Sequence, residues 1–93
     1  MKLTDEDKSI LKEWGFAEAD IKQIENALKK CNTKYKFRGQ RITRETAISL
    51  LGRKVFLSGI SRSAFHFSAS RETSSGEFVY FDSSAFFKQG GQA

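Results

Sequence analysis

The chain has 93 residues, 13% of them aromatic, with nine phenylalanines and no proline, a composition that favours one folded domain over a disordered segment. Its single cysteine, Cys31, excludes an internal disulfide and cannot alone hold a structural zinc, and no apolar run approaches the roughly 18 residues of a membrane span. The net charge of +5 conceals a segregation: residues 1–28 carry four lysines against seven carboxylates, residues 29–71 carry eleven Lys/Arg against Glu45 alone, and residues 72–93 carry Lys88 against Glu72, Glu77 and Asp82.

In "LTDEDKSILKEW", Thr4 stands three residues before Asp7, the spacing of a capping box. Leu3, Ile10, Leu11 and Trp14 supply the apolar side of this first helix, and Gly15 ends it. "FAEADIKQIENALKKCN" predicts a second helix with Ile21, Ile24 and Leu28 on one face. Phe16 and Ile21 fit a hydrophobic staple around Ala17, itself a poor cap. The acidic start and the Lys29-Lys30 end suit the helix dipole.

The period then changes. In "TKYKFRGQRIT", Tyr35 and Phe37 alternate with Lys34, Lys36 and Arg38, and Gly39 supplies a turn before Ile42, which reads as a short basic hairpin. Thr43 caps a third helix, "RETAISLLG", with Ala47, Leu50 and Leu51 inward and Gly52 at its end. In "RKVFLSGISRSA" the spacing of Phe56, Gly59, Ile60 and Ser63 predicts a fourth helix, against which Val55 and the glycine argue. "FHFSASRE" alternates cleanly, with Phe65, Phe67 and Ala69 on one face and His66, Ser68 and Ser70 on the other. "TSSGE" turns the chain into "FVYFD", the clearest hairpin in the sequence. Phe86 and Phe87 anchor part of the last segment.

The fold class is therefore α+β: about four short helices packed on a small antiparallel sheet made from two β-hairpins. Residues 1–88 form the single domain and residues 89–93 a flexible C-terminal tail.

Catalysis finds little support. His66 is the only histidine, and Ser68 and Ser70 point parallel to it from the same strand face, a poor arrangement for attack. No G-x-S-x-G elbow or phosphate-binding glycine loop occurs. A metal site would need His66 with Glu77 or Asp82, and no close-spaced ligand pair supports one. No cofactor is implied. His66, between two phenylalanines, reads first as a structural hydrogen-bonder and second as a contact residue.

The basic middle carries the functional hint. Lys36, Arg38, Arg53, Lys54 and Arg62, with His66, are the candidate contacts to DNA or RNA or to an acidic protein surface. Charges that alternate with core aromatics offer phosphate contacts, not base reading. The third and fourth helices around Gly52 also have the order of a helix-turn-helix, with "RKVFLSGISRSA" in the recognition position. The expectation is a small basic domain that binds nucleic acid mainly through phosphates. The alternative is a protein–protein interaction or regulatory module using exposed aromatics of the C-terminal hairpin; an enzyme is a distant third. The oligomeric state stays open.

The run "ITRETAISLLGRKVFLSGISRSAFHFSA", followed by "VYFDSS", resembles small uncharacterised proteins of Gram-positive gut bacteria and their mobile elements, over Leu3 to Ser84. The resemblance implies a bacterial, cytoplasmic setting and brings no activity or site residues. The acidic N-terminus, which lacks the apolar stretch of a secretory signal, and the single cysteine agree with a reduced compartment.

Overall fold

The first helix, α1 (Asp5–Glu13), begins where its capping box predicts in a computed structural model that describes residues 2–31, 34–61 and 65–90. Thr4 Oγ1 accepts from the Asp7 N–H at 3.1 Å, and the Asp7 carboxylate accepts from the Thr4 N–H at 3.1 Å. Trp14 caps its C-terminus and Gly15 follows at φ +102°. Helix α2 (Glu18–Lys30) starts at Ala17 with no side-chain cap bond, so its entry rests on the buried staple residues Phe16 and Ile21.

Next come β1 (Tyr35–Phe37), α3 (Arg44–Ser49) capped by Thr43, β2 (Val55–Ser61), β3 (His66–Glu72) and β4 (Phe78–Asp82). A 3-10 turn at Ser83–Ala85 leads into β5 (Phe87–Gln89). The architecture is α+β, with three α-helices among the described residues and two antiparallel sheets, β2-β3-β4 and β1-β5.

Two expected parts are corrected. The segment expected as a fourth helix is the strand β2, so the helix-turn-helix order is also absent from the described residues. Val55 and Leu57 face the core opposite Arg71 and Ala69, and the register then shifts so that Ile60 meets Phe67. The bulge contains Gly59 at φ +86°. The helical step from Phe56 to Ile60 therefore joins opposite faces of the strand, Phe56 exposed and Ile60 packed on the core, because the bulge shifts the inward face by one residue. Second, the basic strand does not fold into a local hairpin. β1 pairs with β5, placing Lys36 opposite Lys88 and Phe37 opposite Phe87. Backbone bonds beyond both ends, Arg38 N–H to Phe86 O at 2.6 Å and Gly90 N–H to Lys34 O at 2.8 Å, extend the pairing.

The β3–β4 hairpin forms as expected, with Phe67 and Ala69 buried and Glu72 opposite Phe78. In α3 only Leu50 of the three expected inward residues is buried; Leu51 is 80% exposed.

The inner faces of both sheets and the apolar faces of α1 and α2 share one core. Its hinge is aromatic: the ring of Phe65 lies 5.0 Å from Phe87, 5.2 Å from Tyr35 and 5.9 Å from Phe67, centroid to centroid. Phe65 sits at φ +31°, a conformation costing an L-residue about 1–2 kcal/mol. Full burial of its ring offsets this with about 1.5–3 kcal/mol.

Among the described residues, one charged side chain is buried on the inner face. Arg71 of β3 is 4% exposed, and burial lowers its pKa. Its guanidinium donates to Trp14 O and, at 3.1 Å, to Leu50 O, while Nε has no partner. Trp14 and Leu50 are the C-caps of α1 and α3, so the cation meets the negative ends of two helices. Gly15 permits this approach, because a Cβ there would lie 2.8 Å from Arg53 O and 3.3 Å from Arg71 Cζ.

Candidate functional site

The segregated charge of the sequence resolves differently at each cation. Arg41 is held by Glu13 at 3.1 Å and Glu6 at 3.7 Å, so the acidic N-terminal helix neutralises part of the basic middle. Arg53, half-buried before β2, faces Glu72 at 3.9 Å. Lys54 beside it is exposed. Arg62 lies outside the described residues. His66 opens β3, exposed, with Nε2 3.9 Å from an Asp82 carboxylate oxygen.

These positions do not converge. Val55 pairs with Arg71 at one end of the meander and Ser61 with His66 at the other, so β2 separates Lys54 from His66 by about 20 Å. Lys36 and Arg38 sit on the other sheet, exposed beside half-buried Tyr35 and Phe37. There the structure adds a residue that was not among the candidate contacts: Lys88, directly across from Lys36. Opposed residues of an antiparallel pair project from the same face, and like charges so placed repel. No carboxylate among the described residues pairs with Lys34, Lys36, Arg38 or Lys88.

The outer face of the meander has another chemistry. β3 sends Phe67, Ala69 and Arg71 inward and His66, Ser68, Ser70 and Glu72 outward. Its neighbours follow: Phe56 of β2 and Tyr80 of β4 lie on either side of Ser70, and Phe78 lies beside Glu72. Phe56 is 58% exposed, Phe78 50% and Tyr80 77%. The rings of Phe78 and Tyr80 stand 6.4 Å apart, tilted by 32°. Small serines of the central strand leave the flanking rings uncovered. Next to them a shallow cleft of about 470 Å³ is lined by Ser68, Tyr80, Asp82 and Ser84.

Asp82 closes this face. The Ser84 hydroxyl donates to its carboxylate, the Ser84 N–H does so at 2.9 Å, and nearby His66 adds a smaller effect. Together they hold the carboxyl below the ordinary aspartate range. Among the described residues no three His, Cys, Asp or Glu side chains gather closely enough to hold a metal, and no helix is long and apolar enough to cross a membrane. The Cys31 thiol donates to Leu28 O at 3.3 Å.

Comparison with known proteins returns no match to a family model, a curated protein or a solved structure. Sequence reasoning also missed the exposure of Phe56, because β2 was read as a helix. Arg71 was missed because its charge gives no sign that it points inward; the signal was its alternation with Phe67 and Ala69.

Proposed function

We propose that this protein is a small interaction module that docks a partner protein on the outer face of the β2-β3-β4 sheet. The observation that carries this reading is the row of three exposed rings, Phe56, Tyr80 and Phe78, on one uncovered sheet face. Aromatic side chains are the usual anchors of protein interfaces, and a contiguous exposed apolar patch is rare without a partner. Glu77 and Asp82 stand at the two ends of β4, which favours an apolar partner segment flanked by basic residues. β4 is an edge strand of its sheet, so an extended segment can also add to it through the backbone.

The nucleic-acid reading has a weaker basis on this face. Arg53 is engaged by Glu72, Lys54 and His66 stand at opposite ends of the sheet, and carboxylates flank the rings. Stacked bases would bring phosphates toward those carboxylates.

A photo-crosslinking phenylalanine analogue placed at Tyr80 tests the proposal in cells that produce the protein, with the same analogue at Lys22 on α2 as control. The expected result is a discrete heterologous protein adduct from position 80 that the Phe56→Ser change abolishes. Phe56→Ser itself leaves thermal stability nearly unchanged, since that ring is exposed. Adducts equally frequent from the control position, no adduct at all, or an adduct only with a second copy of this chain would each sink the reading.

A further inference from the structure

The β1-β5 ribbon lies outside the proposed docking face and carries its own chemistry. Residues 29–44 contain seven Lys/Arg and no carboxylate, and Arg41 is paired with Glu6 and Glu13. Folding then adds Lys88 from the far end of the chain, opposite Lys36. Lys34, Lys36 and Arg38 are exposed at alternate positions, about 6.7 Å apart along the strand. That step is comparable to the distance between successive phosphates of a nucleic-acid strand. Lys88 broadens the row into a cluster on both strands of the ribbon.

We infer that this ribbon is a nucleic-acid phosphate-backbone site, with Lys34, Lys36, Arg38 and Lys88 as its contacts. Directly opposed lysines repel one another, and an anion seated between them removes that repulsion. The aromatics of the ribbon decide between classes of polyanion. Tyr35, Phe37 and Phe87 turn toward the core, where Phe37 and Phe87 meet at 5.2 Å, so they offer no anchor beside the cations. A face of charges alone suits a phosphate backbone. Protein interfaces, by contrast, deplete charge at their centre and rely on buried anchors. Lysines and an arginine spaced along a strand contact phosphates rather than base edges, so the expected affinity is independent of base sequence.

The test is fluorescence anisotropy with a short labelled single strand and the corresponding duplex, each titrated at low and moderate salt. If all four cations engage, affinity falls with a log–log salt slope of about −3 to −4. The Lys36→Glu/Lys88→Glu double variant weakens binding roughly ten-fold or more and flattens that slope by about two. Lys2→Glu/Lys22→Glu, with the same change in net charge on the acidic side of the chain, weakens it less than about three-fold. Lys36→Arg/Lys88→Arg keeps the affinity, which separates lost charge from a damaged ribbon. Absence of binding, insensitivity to salt or equal losses from the two reversed pairs would overturn the site. Equally tight binding of poly-glutamate would overturn the phosphate assignment in favour of an acidic protein.

Discussion

β1 and β3 both send alternate residues into the same core, Tyr35 and Phe37 from one, Phe67 and Ala69 from the other. What they and their partners turn outward differs in kind. The ribbon presents Lys34, Lys36, Arg38 and Lys88, whereas the meander presents Phe56, Phe78 and Tyr80 around a strip of serines. Folding a sheet against a core constrains only its inner face. The outer faces are free to differ, so their unusual features are where a functional reading has most purchase. An opposed pair of lysines and a row of exposed rings are both unfavourable or neutral for folding alone.

The comparison is broken most forcefully at the junction of the two sheets. Phe87→Ala removes a buried ring that touches Phe37, Phe65 and Phe67, and the expected loss is about 3–5 kcal/mol. Urea unfolding followed by far-UV circular dichroism and by Trp14 fluorescence should shift as one transition. Two separated transitions would mean that the sheets are independent units rather than two faces of one core.

Arg71→Met tests the link between the meander and the ends of α1 and α3. Removing the guanidinium takes the side-chain donor from Trp14 O and leaves Leu50 O with the Arg53 N–H alone, for an expected loss of about 1–3 kcal/mol in the same urea titration. A gain in stability would show instead that the cost of burying the cation exceeds what the two helix ends return.

The smallest effect belongs to Asp82. Because its carboxyl is held below the ordinary value of about 3.9, its contacts with Ser84 stabilise the fold fully above that pH. That contribution drains away as pH falls through the lower folded-state value. Melting temperatures of Asp82→Ala and the parent should therefore differ slightly near neutrality and converge in acid; a gap that persists in acid would assign the effect to packing.

Where the fold was legible in the sequence, the signal was local. Thr4 with Asp7, Thr43 before α3, and the alternation of Phe65 to Glu72 with its turn all lie within a few residues of what they specify. β2 was obscured by a single bulge, since an extra residue at Gly59 converts a two-residue period into a mixed one. The partner of β1 was obscured for another reason. Alternation reveals which residues of a strand face inward but carries no information about which distant strand completes the pair. Lys36 and Arg38 were therefore recognisable as outward cations, while Lys88 was not recognisable as their neighbour.

The pairing of β1 with β5 also sets an order of events during synthesis. Phe37 and Phe87 stand fifty residues apart, so at usual elongation rates β1 waits about 3–10 s for its partner to be made. The β3–β4 hairpin, with its ends close in sequence, closes without such a delay. The lysines of the ribbon are therefore drawn together only after its last strand has been made, and the concentrated positive field is a product of the tertiary fold rather than of the local sequence.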